Sequence, residues 1–188
     1  MSQSSVLVIP AHEHLASYRE ALERGWSPDT VQPDKTALRE LSAIDRNSAD
    51  FLSGLTDEEA VGDPIQLPDG TTVPRLPGFR RWVWDGELCG SIGFRWQPGS
   101  SELPSYVLGH IGFTIVPWKR GRGHAKRALA ALLPEARSRG LEYVYLTADP
   151  DNVASQRVIQ SAGGQLVERS RKHAAYGEAD ILRYRIIL

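Results

Sequence analysis

The segment RGRGHA, Arg120 to Ala125, puts two glycines between a run of strand-forming residues and a run of helix-forming residues. A strand that enters a glycine-containing turn and then a helix N-terminus is an anion site. The first helical turn leaves amide N–H groups without partners, and the helix dipole adds about half a positive charge there. Gly121 and Gly123 carry no Cβ, so a phosphate can approach the backbone and the turn can use dihedrals closed to other residues. Two nucleotide readings fail on the letters. A dinucleotide fingerprint needs another Gly or Ala where Lys126 stands, and a Walker-type loop needs Gly-Lys-Ser/Thr after four intervening residues.

The elements that must position this loop can be read from period. VLVIP (Val6 to Pro10) reads as a strand and HLASYREALERG as a helix stopped at Gly25. One helix is expected over Asp34 to Leu52, with Leu38, Leu41, Ile44 and Asp45 towards one side. From Ser53 to Gly78 no period is sustained; such a long connection is either functional or a plain surface excursion. FRRWVW and ELCGSIGFRW follow, joined at Asp85-Gly86, which predicts a two-residue hairpin turn. In YVLGHIGFTIV, Ile111, Phe113 and Ile115 alternate with His110, Gly112 and Thr114, marking another strand.

After the glycine loop the period changes. Ala125, Ala128, Leu129, Leu132, Leu133 and Ala136 form the stripe of a helix packed on a sheet, with Pro134 predicting a kink or a distorted last turn. Strand LEYVYLTA, helix NVASQRVIQSAGG and strands QLVERS and ILRYRIIL complete the chain.

At 188 residues and 41% apolar content, one domain spanning 1–188 is the expectation. Lys and Arg number 22 against 23 Asp and Glu, a balance that argues against nucleic acid or a membrane surface as partner, so any anion site is local. The first residues hold no basic region followed by an apolar core, which points to a cytoplasmic protein. The single cysteine, Cys89, reads as a small strand residue rather than a nucleophile, and no ligand spacing predicts a metal; His12 and His14 lack a third partner. Trp82, Trp84 and Trp96 read as sheet residues rather than a substrate cage.

Arg120, Gly123 and Ala125 fit the pattern Gln/Arg-x-x-Gly-x-Gly/Ala, here after a strand ending FTIVP and before an amphipathic helix. Together with DNVASQRVIQSAGG downstream, this stretch resembles the GNAT superfamily of N-acetyltransferases over about Tyr106 to Glu168. GHIGF, DNVASQRVI and GG look like a subgroup of predicted bacterial acetyltransferases of unassigned substrate. The resemblance implies an α/β fold of the α+β type, with a mostly antiparallel mixed central sheet flanked by helices on both faces. It also implies acetyl-CoA as cosubstrate, with no metal. Backbone groups around Ile115 and Val116 would bind the pantetheine amides, and the amides of Arg120, Gly121, Arg122, Gly123, His124 and Ala125 would take the pyrophosphate. Asn152 would bond the cofactor with help from Ser155, although an Asn there also reads as an ordinary helix cap. Arg122, Lys126, Arg127 and Arg157 are candidates for the 3′-phosphate.

The implied reaction is direct attack by a primary amine, on a small molecule or peptide, upon the acetyl thioester. A base, an oxyanion donor and sometimes an acid are therefore sought. Many members place a tyrosine acid seven residues after the helix Asn, where this chain has Ile159. A thiol titrates near 8.5, so the thiolate can leave without protonation; Tyr145 or a water could substitute as acid. His110 is the first candidate base because it shares a face with Gly112 and Thr114, and a histidine bonded within the sheet is the plain alternative. Asp149 and Asp151 follow as bases, or as turn residues of DPDN. A second copy of the chain is allowed for as a partner. One rival function is a non-catalytic acyl-CoA-binding or sensor module, and another keeps the enzyme chemistry with a different acyl donor.

Overall fold

The structure, a computed structural model, describes residues 6–188. The first five, part of the stretch read for a leader, lie outside the described residues. Strand β1 (Val6–Val8) leads into α1 (His12–Glu23), which ends at Gly25 with a φ of 84°. The single helix expected over 34–52 is instead two, α2 (Pro33–Arg46) and α3 (Ser48–Ser53). Asn47 breaks it: its backbone is extended, and its side-chain oxygen accepts the N–H groups of Ala49 and Asp50 to start α3. The expected stripe is also corrected. Leu38 is 69% exposed, while Thr36, Ala37, Glu40 and Ile44 form the buried face.

The connection that follows contains three short strands, β2 (Thr56–Asp57), β3 (Ile65–Gln66) and β4 (Thr72–Val73). Then come β5 (Gly78–Trp84), β6 (Leu88–Arg95) and β7 (Ile111–Ile115). The hairpin between β5 and β6 is where Asp85-Gly86 predicts it, but Trp84 pairs with Leu88, so the loop is three residues, Asp85 to Glu87, with a register shift beside it. A 3₁₀ turn (Pro117–Lys119) connects β7 to α4 (His124–Ser138). The chain ends with β8 (Tyr143–Ala148), α5 (Val153–Ser161), β9 (Gln165–Arg171) and β10 (Asp180–Ile187).

Helix α4 runs through Pro134 to Ser138 and then tightens. Arg139 and Gly140 donate to the carbonyls of Ala136 and Arg137, three residues back, in keeping with the predicted distorted last turn.

The mostly antiparallel central sheet expected, with helices on both faces, is present in two parts, in the orders β1-β5-β6-β7 (with β2 on β5) and β8-β10-β9, and β3 and β4 form a separate pair. Alternation along β5 assigns the faces. Trp82 packs with Tyr18, Leu22 and Trp26 of the N-terminal helical layer, and Val83 with Leu129 and Leu132 of α4. No helix of the described residues is long and apolar enough to cross a membrane.

One charged network crosses from helix to sheet. Arg80 on β5 donates to Glu40 of α2 at 2.8 Å and to the Tyr18 hydroxyl at 3.2 Å, and Tyr18 donates to Glu40. Glu40 is buried and Arg80 mostly so; with the carboxylate removed, the guanidinium keeps only a neutral partner. Glu40→Ala is therefore expected to cost about 3 kcal/mol. A thermal melt should read this as a fall of about 6 to 12 °C; an unchanged melting temperature would mean that water replaces the carboxylate.

Candidate active site

Among the described residues, hydrogen bonds join the strands of the two sheets at one place. The His110 N–H donates to the Tyr145 carbonyl at 2.8 Å, and the Tyr145 N–H donates to the imidazole Nδ1 of His110 at 2.9 Å. Gly109 eases this approach, since a Cβ there would lie 3.0 Å from the Tyr145 carbonyl oxygen, a tight contact with backbone. Beyond the junction β7 and β8 run the same way and separate, and residues 111–114 and 146–149 line a cleft of about 600 Å³ between them.

The register states which backbone groups face that cleft. The Arg95 N–H donates to the His110 carbonyl and the Val116 N–H to the Cys89 carbonyl, which makes Gly112 and Thr114 the hydrogen-bonded partners of β6. The main-chain groups of Ile111, Phe113 and Ile115 consequently turn away from β6, towards β8. Tyr145 points its N–H and C=O at β7, so Thr147, two residues on, faces the cleft as well. An extended ligand carrying amides can lie there as a strand would.

This corrects the expectation for Val116. Its N–H is held by Cys89, and its carbonyl accepts from the Lys119 N–H at 3.0 Å, so neither group is open to a ligand. Phe113, on the open edge, is the position that sequence reasoning missed; the alternation marked it, but only the register tells which edge is paired. At Ile115 the carbonyl is taken by Nε of Arg120 at 3.2 Å, which leaves its N–H.

At the far end of β7 the chain passes through Arg120 into α4. Gly123 is the N-cap in the left-handed region, with φ 78° and no side-chain cap. The first amides of the helix thus meet neither an intrahelical acceptor nor a capping oxygen. Gly121 is left-handed too, with φ 76°. Arg127 folds back over the loop, donating to the Arg122 carbonyl at 3.0 Å and meeting His124 Nδ1 at 3.2 Å. The loop is therefore a cationic turn with its amides open, as RGRGHA implies.

Beneath it lies a buried polar cluster. Lys119 is 4% exposed and donates to Asp85 at 2.6 Å, with Glu87 at 2.9 Å and the Cys89 sulfur at 3.6 Å. Ligand atoms of Asp85, Cys89 and His124 lie within 4.8 Å of one another, a geometry with the donor types of a metal site. The Lys119 ammonium already holds the cation's place against Asp85 and Cys89. Burial opposes the charge on Asp85, yet the Lys119 hydrogen bond holds its carboxyl below the usual range. Burial pushes the Cys89 thiol up to about 12, in line with a structural residue rather than a nucleophile.

The other sequence candidates divide. Asn152 and Ser155 line the cleft on the β8 side; Asn152 also caps α5, its oxygen accepting the Ser155 N–H at 3.1 Å. Asp149 borders the cleft, ion-paired with Lys172 at 2.6 Å, whereas Asp151 does not border it. His110 is fully buried, and neither it nor Tyr145 borders the cleft. Burial, with Arg95 nearby, lowers the His110 pKa to about 4, so the imidazole is neutral at pH 7; this matches the histidine bonded within the sheet. Tyr145 packs its ring against His110 and Tyr143. Ile159 is in the core, 1% exposed, so its place offers the cleft nothing.

A family model, the acetyltransferase (GNAT) domain, matches residues 69–165, just over half of the chain and including the cleft strands, the loop and both following helices. The chain belongs to the GNAT acetyltransferases. No curated protein matches it in sequence. Solved structures similar in fold include RimL, a ribosomal L7/L12 alpha-N-protein acetyltransferase in complex with coenzyme A, at 14% identity and a TM-score of 0.63, covering 98% of this chain and 94% of that one. MccE, a microcin C7 self immunity acetyltransferase in complex with acetyl-CoA and AMP, is similar at 12% identity and a TM-score of 0.64, covering 100% and 94%. A GNAT-family acetyltransferase from Bacillus anthracis is similar at 15% identity and a TM-score of 0.59, covering 100% and 96%. At these identities the likeness is one of fold.

The buried histidine makes stability depend on pH. Unfolded, a histidine takes its proton near 6.5; in the folded GNAT domain His110 does so only near 4. Between those values the unfolded chain binds a proton that the folded chain refuses, so stability is whole above pH 6.5 and falls as pH drops towards 4. His124, lowered first by burial, acts in the same direction. At pH 5 the His110 contribution to this loss is about 2 kcal/mol. In urea titrations, His110→Gln is expected to flatten the loss between pH 7 and 5; an unaltered slope would show that His110 titrates normally.

Proposed function

We propose that this GNAT protein is an acetyl-CoA-dependent N-acetyltransferase that moves acetyl from acetyl-CoA to a primary amine by direct attack in a ternary complex. The observation that carries the reading is the succession of open main-chain groups along one stretch of chain. The edge of β7 (Ile111, Phe113 and the N–H of Ile115) is followed, past the 3₁₀ turn at Pro117–Lys119, by the uncapped amides at the start of α4. The pantetheine amides fit the edge, and the pyrophosphate fits the amides of Gly121 to Ala125. Asn152 and Ser155 face the same ligand from α5. RimL and MccE, of similar fold, hold coenzyme A and acetyl-CoA respectively.

The chemistry asks little of side chains. The amine lone pair forms the C–N bond, the C–S bond breaks, the electron pair leaves with the thiolate, and the ammonium proton passes to water. Main-chain N–H groups of the β7 edge are the donors available to the carbonyl oxygen as it gains charge. A neutral, enclosed His110 serves as the pin between the sheets. Asp149, tied to Lys172, is a carboxylate that lines the cleft beside β8 and can take the proton through a water.

A non-catalytic acyl-CoA sensor is the second reading, favoured by the absence of His110, Tyr145 and Ile159 from the cleft wall. Free-thiol release with an amine panel separates the two. Acetyl-CoA at about 100 times its dissociation constant is expected to add about 2.7 kcal/mol, or roughly 5 to 10 °C. Thiol release should then rise with pH along the acceptor's own titration, with no step from a histidine and no descending limb below about pH 9. A melting temperature unmoved by acetyl-CoA would overturn the cofactor assignment, and binding without thiol release from any amine would leave the sensor.

A further inference from the structure

The face of the first sheet opposite α4 is unusually bare where it floors the cleft. Register places Arg80, Gly93 and Gly112 in one cross-strand row, with Trp82, Ser91 and Thr114 in the next and Gly78 with Arg95 on the other side. Gly93 and Gly112 have no positive φ, so the backbone does not require glycine there. A Cβ at Gly112 would meet nothing within 4 Å, and one at Gly93 only the Phe79 carbonyl at 3.7 Å. What these glycines keep clear is the cleft itself.

The carboxylates around that bare floor all have hydrogen-bond donors. Among the carboxylates lining it, Asp29 accepts from the Val31 and Gln32 N–H groups and the Thr36 hydroxyl, Asp57 from the Val61 and Gly62 N–H groups, and Asp149 pairs with Lys172. Arg75 has Asp57 at 3.6 Å, and Arg80 has Glu40. Arg95 is different. It lines the cleft, and among the described residues its side chain makes no hydrogen bond or ion pair; of the other cations lining the cleft only Arg39, on α2 away from the glycine floor, is like it. Arg95 is exposed to the water of the cleft; desolvation by the protein around it pulls its pKa down, aided by Arg80 and opposed by Tyr176 and Asp29, neither of which bonds it. A cation in such a place calls for an anion.

That anion is not the cofactor's pyrophosphate. The Arg95 N–H bonds the His110 carbonyl at the start of β7, whereas the glycine loop follows its end, about 17 Å away at the rise of a strand. Resting on the transferase reading above, we infer that the acceptor amine carries an anionic group, a carboxylate or a phosphate, that pairs with Arg95 while the rest of the acceptor lies over Gly93 and Gly112. The guanidinium fork suits either oxyanion.

The test is thiol release with matched amines that differ in the anionic group: amino acids against their amides, and aminoalkyl phosphates against the parent amino alcohols. Rates are compared per free-base amine. The anionic member of a pair is expected to have a kcat/KM at least about tenfold above its neutral partner, the order of a charge-assisted hydrogen bond. Arg95→Gln should abolish that preference, leave the neutral partner's rate and the melting temperature unchanged, and Arg95→Lys should restore part of it. The carboxylate and phosphate arms tell which oxyanion the site takes. Neutral amines acetylated as well as anionic ones, or an Arg95→Gln loss shared equally by both, would overturn the inference and leave the transferase standing. Should no amine turn over, calorimetry of the same compounds with coenzyme A present decides. Anionic members bound by wild type and lost in Arg95→Gln would uphold the anion site at Arg95 while the transferase reading fails, and no binding would overturn the inference.

Discussion

The constraint on which the site depends is that, among the described residues, β7 and β8 share main-chain hydrogen bonding at one end only. A parallel pair would normally zip its main-chain groups together. Here His110 supplies an imidazole nitrogen to the Tyr145 N–H and its own N–H to the Tyr145 carbonyl, and the strands part beyond that contact. The junction is secured from inside. The ring is fully buried and neutral, and Gly109 allows the close approach. The consequence is an edge of unsatisfied backbone groups inside the molecule, an arrangement that is costly unless water or a ligand completes it. On the proposed reading, an amide-bearing cosubstrate completes it.

The second requirement is that the glycine loop stay aligned with that edge. Several bonds serve this. Lys119, just before the loop, reaches back into the β5–β6 turn and holds Asp85 and Glu87 together. Arg120 returns its side chain to the Ile115 carbonyl, and Arg127 ties Arg122 from the first turn of the helix. The cluster of Asp85, Cys89 and His124 is thus part of a strut between hairpin and loop, with an ammonium at its centre. The opposite end of the cleft has another character, bare of side chains at Gly93 and Gly112 and bordered by cations. One groove therefore offers two environments, a main-chain edge ending in helix amides and a cationic floor.

Much of this was legible in the letters, because the features concerned are local. Period gave the strands and helices from β5 onward, and the RGRGHA turn declared its own geometry through two glycines that are left-handed in the structure. The failures have physical causes. Asn47 could not be told from a helical residue until its side chain was seen capping α3. The hairpin loop gained a residue through a shift in register that Asp-Gly does not encode. Val116 and Phe113 exchanged standing because edge pairing depends on β6, and His110 went to the core because its partner is a distant backbone amide. Arg95 carried no sequence signal at all; an arginine at a strand end is ordinary until the carboxylates around it prove to be engaged.

The central claim is that the open edge of β7 and the start of α4 together hold acetyl-CoA. Amide hydrogen exchange, with and without the saturating ligand, tests it most directly. The account predicts slowed exchange in two stretches, the amides of Ile111, Phe113 and Ile115 and those of Gly121 to Lys126, with the β6-bonded amides of Gly112 and Thr114 changed least. Protection confined to other segments, or no change on saturation, would contradict it.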